Sequence, residues 1–261
     1  MSGFEERKYN INLGRDIKSS YNLEEIFSFL DKRLKMNIII YNTQLQKILG
    51  FNMQDYKETS GKYKEGKKDG KGKEYKLNTH ILIFEGEYLN GKKIKGKEYY
   101  DNGNLRFEGE YLNGKRIREG KEFYDNEKLK FEGEYLNGQR NGKGKEYYNN
   151  GELKFEGEYL NDQRNGKGKE YNNYYELKFE GEYLNGKKNG KGKEYYDGGN
   201  LKFEGEYLYG QRNGKGKEYY YYGELKFEGE YFNGIKWNGK YYNKSGISDS
   251  QIKDGTKRRK K

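Results

Sequence analysis

The stretch Phe131–Lys154, FEGEYLNGQRNGKGKEYYNNGELK, decides how the rest of the chain is read. Near-copies begin at Phe155, Phe179, Phe203 and Phe227, each 24 residues after the last. Phe107 extends the series backward by 24 residues and Phe84 by 23. Before them, Gly61–Gly66 (GKYKEG) matches the GEYLNG core without its leading Phe. A fixed period of this length marks a repeat array, in which each unit buries its apolar face against its neighbours.

Within a copy, Leu153, Phe155, Gly157 and Tyr159 alternate with Lys154, Glu156 and Glu158. This period of two, rich in aromatic residues, predicts a half-buried strand. Asn137-Gly138 and Asn141-Gly142 tolerate positive φ and predict turns. A second strand follows in Lys143–Tyr148, and Asn150-Gly151 turns the chain back. Each repeat is thus one β-hairpin, and the array an antiparallel meander of about eight of them. Gly133, Gly157, Gly181 and Gly205 recur two residues before Tyr135, Tyr159, Tyr183 and Tyr207. Glycine inside a strand marks close approach, so these eight positions are expected to be structural, with rings lying over bare backbone.

The pattern F-E-G-E-Y-x-N-G-x-x-N-G-K-G-K resembles the MORN repeat family over roughly residues 59–246. The linker Tyr147–Leu153 (YYNNGEL) also looks like the variant repeat of bacterial antitoxin-type proteins. The resemblance implies an elongated, twisted, single-layer β-sheet with a groove and no enzymatic activity of its own. It further implies scaffolding, dimerisation or binding to anionic lipid.

A mean hydropathy of −1.40 and 36% charged residues would ordinarily suggest disorder, but 17% aromatic residues at a regular period argue for a thin folded sheet. There is no Cys and a single histidine, His80, with no HExxH pattern, so no catalytic residue, metal site or cofactor is expected. The Gly-Lys-Gly-Lys runs lack the spacing of a phosphate-binding loop. The net charge of +11 divides into +1 over residues 1–58, +6 over 59–246 and +4 over 247–261. Copy 131–154 is neutral: Arg140, Lys143, Lys145 and Lys154 balance Glu132, Glu134, Glu146 and Glu152. Interleaved carboxylates suit cross-strand pairing and argue against a nucleic-acid partner.

Four segments follow: a polar leader (1–20), a short α-helical module (21–57), the repeat array (58–246) and a basic tail (247–261). In the module Leu23, Ile26, Phe27 and Leu30 recur at helical spacing after Asn22. Leu23–Asp31, with Phe29 inside it, also resembles the opening of an F-box without its leading Pro or Trp-containing end; that resemblance implies docking to a ubiquitin-ligase adaptor. A cap over the first β-edge is the simpler reading. Ile94 and Ile117-Arg118 interrupt the Asn-Gly pattern in the early repeats, and Trp237 is expected to cover the last edge. Lys257, Arg258, Arg259, Lys260 and Lys261 close the chain as an anionic-lipid anchor or import signal.

The resemblance, with no catalytic constellation in the sequence, implies a non-catalytic scaffold for protein partners, another copy of the chain among them. The alternatives are a tether to anionic phospholipid through lysines, and a ubiquitin-ligase substrate adaptor. With no apolar leader visible, the expected location is cytoplasmic, membrane- or cytoskeleton-associated, or nuclear through the basic tail.

Overall fold

The computed structural model describes residues 61–77 and 79–259; the helical module, with Leu23, Ile26, Phe27, Phe29 and Leu30, lies outside them, as do Lys260 and Lys261. The described residues are all-β, eighteen strands of one antiparallel sheet. Two compact units divide them, one of residues 61–66 and 73–83, the other of 67–72 and 84–259. The strands are β1 (Lys62–Gly66), β2 (Gly70–Lys76), β3 (Leu82–Leu89), β4 (Lys92–Tyr99), β5 (Leu105–Leu112) and β6 (Lys115–Phe123). Then come β7 (Leu129–Leu136), β8 (Gln139–Tyr147), β9 (Leu153–Leu160), β10 (Gln163–Tyr171), β11 (Leu177–Leu184) and β12 (Lys187–Tyr195). The last six are β13 (Leu201–Leu208), β14 (Gln211–Tyr219), β15 (Leu225–Phe232), β16 (Ile235–Tyr242), β17 (Ser248–Lys253) and β18 (Thr256–Arg259).

In the first unit Tyr63 stacks on Tyr75 (ring centres 5.3 Å apart), and its hydroxyl meets Nδ1 of His80, an exposed residue.

In the second unit, strands adjacent in sequence are adjacent in the sheet. Glycine faces glycine at the middle of every strand from β3 to β16, as in Gly144↔Gly157↔Gly168↔Gly181. The reason is the phenylalanine two residues upstream on the odd-numbered strand of each pair, whose ring spans both glycines. Phe155 is wholly buried, and a Cβ on Gly157 or Gly168 would stand 2.8 or 2.3 Å from its Cζ. The glycines therefore do lie beneath rings, but the ring is that of this Phe. Tyr135, Tyr159, Tyr183 and Tyr207 are buried beside these rings. Each Phe meets its own Tyr and that of the next repeat edge-to-face, as Phe155 does with Tyr159 (5.5 Å) and Tyr183 (5.3 Å). Such pairs contribute about 0.5–1.5 kcal/mol each beyond area burial.

A cation closes the other side of the ring. Arg116, Arg140, Arg164 and Arg212 lie 3.9–4.2 Å from the ring centres of Phe107, Phe131, Phe155 and Phe203, and Lys188 lies 4.1 Å from that of Phe179. Each also reaches a glutamate of the preceding repeat: Arg140 to Glu122 at 2.6 Å, Arg164 to Glu146 at 2.9 Å, Arg212 to Glu194 at 2.6 Å. Glu122 accepts from the Tyr135 hydroxyl as well (2.8 Å). Burial alone would lift the Glu122 carboxyl, but Arg140, then Tyr135, outweigh it and hold it below the usual range. Burial, then the Glu122 charge, pushes the Tyr135 phenol far above its ordinary value. A stack of glycine backbone, Phe ring and cation takes the place of a second layer.

Three boundaries differ from the sequence reading. Asn137-Gly138 is the two-residue hairpin turn, with φ of 53° and 91°, but Asn141-Gly142 lies inside β8. There the chain bulges: Gly133↔Gly144 is followed by Tyr135↔Arg140, and Glu134 Oε1 accepts from the Lys143 amide at 3.0 Å. Second, the sheet does not end at 246: inside the segment read as a basic tail, Ser248–Lys253 and Thr256–Arg259 form β17 and β18. Asn243 and Gly246 make the same turn bonds as Tyr220 and Gly223, and β17 then pairs with β16. In that register Ser250 takes the phenylalanine place and Ile252 the glycine place; both are buried. With no Phe ring to accommodate, the glycine position carries a side chain. Third, Trp237 does not sit on the last strand; it meets Phe232 (5.7 Å) and the turn at Gly255, and two further strands follow. There are therefore nine hairpins among the described residues, against about eight expected.

Candidate functional site: a glycine-floored groove

On the face turned away from the Phe rings, the glycine row has no side chains to present. The residues on either side of each glycine do, and by alternation they point to this face. One row runs Lys145↔Glu156↔Lys169↔Glu180↔Lys193↔Glu204↔Lys217↔Glu228 across successive strands. The second pairs Lys143 with Glu158, Lys167 with Glu182, Lys191 with Glu206 and Lys215 with Glu230. Between them lies an open groove of about 1570 Å³, floored by Gly109 through Gly229. Its walls alternate in sign, so the groove carries no single-sign field.

Beyond the second row stands an apolar stripe, one residue per repeat, just before each two-residue hairpin turn. Leu89, Leu112, Leu136, Leu160, Leu184, Leu208 and Phe232 are 43–60% exposed. On the other flank Tyr147, Tyr171, Tyr195 and Tyr219 donate hydroxyls to Glu132, Glu156, Glu180 and Glu204 at 2.6–2.8 Å. In cross-section the face therefore reads leucine, charge pair, bare backbone, charge pair, tyrosine.

Of the expected site residues, Gly133, Gly157, Gly181 and Gly205 contribute to the groove floor. Tyr135, Tyr159, Tyr183 and Tyr207 pack on the opposite face. Lys257, at the start of β18, places its ammonium 4.4 Å from the centre of the Tyr241 ring, and Arg258 and Arg259 continue that strand. The leucine stripe and the Phe-capping cations were not anticipated. Their signal was the apolar residue that closes every FEGEY run and the constant cation at Arg116, Arg140, Arg164, Lys188 and Arg212.

The MORN repeat family model matches residues 60–76, 131–152, 155–173, 179–201 and 203–223. The chain is a MORN-repeat protein. The matched stretches of this MORN array begin at residue 60, and none covers the F-box-like segment at 21–50. The comparison with curated proteins found no match. Among solved structures, a chain titled "Crystal Structure of TarM" shares 16% identity over 66% of this chain and 32% of its own, with a TM-score of 0.17. The present chain thus spans about a third of that one, and a likeness at this score carries no argument. MORN repeats are in general protein- or membrane-interaction scaffolds and typically non-catalytic.

Proposed function

We propose that this protein is a scaffold that binds a partner polypeptide along the glycine-floored groove. The observation that carries this reading is the exposed leucine stripe running beside walls of alternating charge. Contiguous apolar surface rimmed by polar groups is the usual mark of an interaction site. Bare backbone in the floor lets a partner's main chain or a helix approach closely, and mixed charge in the walls favours a partner of similarly mixed charge. Another copy of this chain is one candidate.

The test replaces Leu160, Leu184 and Leu208 by Ser together. These side chains are exposed, so circular dichroism and melting should stay unchanged. Partner proteins captured from cells by the wild type should fall at least about tenfold with the variant. An undiminished partner set removes the groove from the reading. Flotation on liposomes distinguishes the membrane alternative, to which the cations Lys257–Lys261 lend support. Binding confined to anionic vesicles and abolished at high salt transfers the proposal from protein to lipid.

A further inference from the structure

The turns that join one repeat to the next carry a second surface. At 101–104, 125–128 and 149–152 they hold only small, polar or charged residues. At 172–176 and 220–224 they instead add Tyr174, Tyr175, Tyr221 and Tyr222, and the turn between them, at 196–200, holds Gly198-Gly199. Tyr174 and Tyr222 are 84% and 82% exposed. Tyr175 occupies the left-handed region (φ 63°) where four of the equivalent turns place Gly103, Gly151, Gly199 and Gly223, and its ring stacks flat on Tyr171 (5.3 Å, 8°). Tyr221 packs against Tyr196 (5.5 Å) and Tyr222 (5.2 Å) and reaches across Gly198, where a Cβ would stand 2.9 Å from its hydroxyl. Two preorganised tyrosine pairs, Tyr171–Tyr175 and Tyr221–Tyr222, thus flank a glycine saddle in which Tyr221 reaches over Gly198 and the space at Gly199 is open.

Charge and spacing narrow the occupant. The three turns carry three carboxylates (Glu176, Asp197, Glu224) against the two ammoniums that reach their rings, Lys202 at 5.4 Å from Tyr196 and Lys226 at 5.7 Å from Tyr220, and this excess of negative charge favours a basic partner. Successive turns on this edge are two strands apart, about 9.6 Å. A polyproline II helix repeats every three residues, about 9.3 Å, with its backbone carbonyls free to accept hydrogen bonds. Its residues i, i+3 and i+6 would therefore meet the Tyr174–Tyr175 turn, the glycine saddle and the Tyr221–Tyr222 turn in phase. Aromatic rings are the surface such helices use, and tyrosine hydroxyls supply the donors. We propose that the tyrosine edge at 172–176, 196–200 and 220–224 docks a basic, proline-rich segment of a partner protein in polyproline II conformation. This chain has no proline and cannot supply the segment itself.

The probes are two fluorescein-labelled dodecapeptides of equal charge, (Lys-Pro-Pro)4 and (Lys-Gly-Gly)4, titrated by anisotropy against the full chain at about 0.15 M salt. The proline peptide should bind at least about tenfold more tightly than the glycine peptide. The double variant Tyr174→Ala/Tyr222→Ala should weaken it about tenfold with an unchanged melting curve. Asp197→Lys should weaken it in a variant that leaves every tyrosine in place. Equal binding of both peptides would reduce the contact to bulk charge and overturn the proposal. So would no binding up to about 1 mM, or binding indifferent to the tyrosines.

Discussion

Two glycines of one repeat type separate space from backbone conformation. At Gly157 a Cβ would meet Lys167 O and Gly168 Cα at 2.6 Å, both backbone, with Phe155 behind. Gly157→Ala should therefore cost about 3 kcal/mol or more in urea denaturation, because a sheet backbone cannot retreat from its own partner. Gly186 has φ +79° and open space around it. Gly186→Ala should cost only about 1 kcal/mol, the price of the left-handed region; Asp162 already holds the equivalent turn at φ 66°. Equal losses at the two sites would refute the close approach of backbone and ring at the glycine row. Arg212→Met keeps the aliphatic stem but leaves Glu194 without its guanidinium (2.6 Å). Both side chains are only about a fifth exposed, so a loss of about 2 kcal/mol is expected, reduced by the remaining Tyr207 bond (2.7 Å).

The strand pair is the unit of stability at the next scale. Deleting Phe155–Lys178 joins Lys154 to Phe179 and restores the sequence Leu-Lys-Phe-Glu-Gly-Glu across the junction. Contacts in the array run mainly between neighbouring strands, so this shortened chain should fold, with a melting temperature lowered by only a few degrees. Deleting Lys167–Lys178 removes the turn at 172–176 and fuses Gln163–Gly166 of β10 to Phe179 of β11, so every later strand would run opposite to its sense in the whole chain, with its turns and bulges on the wrong edges of the sheet. It should not yield a cooperative melt; if it melts like the whole-repeat deletion, the hairpin is not the folding unit.

Across the whole molecule the same electrostatic motif recurs, which makes its pH response additive. Burial would raise Glu98, Glu122, Glu146, Glu194 and Glu218, but the cations bonded to them outweigh it and depress all five. Groups depressed in the folded state stabilise it above their unfolded pKa, about 4.3, and that stability is lost as pH falls through the folded values. Tyr111, Tyr135 and Tyr207 are raised, chiefly by burial and then by Glu98, Glu122 and Glu194. Their contribution is complete below about pH 10 and is lost above it as the unfolded chain ionises first. Thermal melts should show a plateau between these limits and a decline on both sides. A melting temperature still level at about pH 3 would contradict the buried ion pairs.

The 24-residue period, the alternation in Leu153–Tyr159 and the Asn-Gly turns determined by themselves that this chain forms β-hairpins in series, since each is a property of contiguous residues. The glycine row was legible too, as was the absence of a bare basic surface, because charges of both signs alternate within every copy. Tertiary structure decided what covers the glycines, which Asn-Gly is a turn and which a bulge, and that 248–259 continue as strands. Tyr135 finds Glu122 13 residues away, Arg140 finds it 18 away, and Tyr124 donates to the Tyr147 carbonyl 23 away. Such partners are set by cross-strand register. A bulge shifts register without changing the period, so only the paired strands could bring the leucine stripe and the two charged walls into one groove.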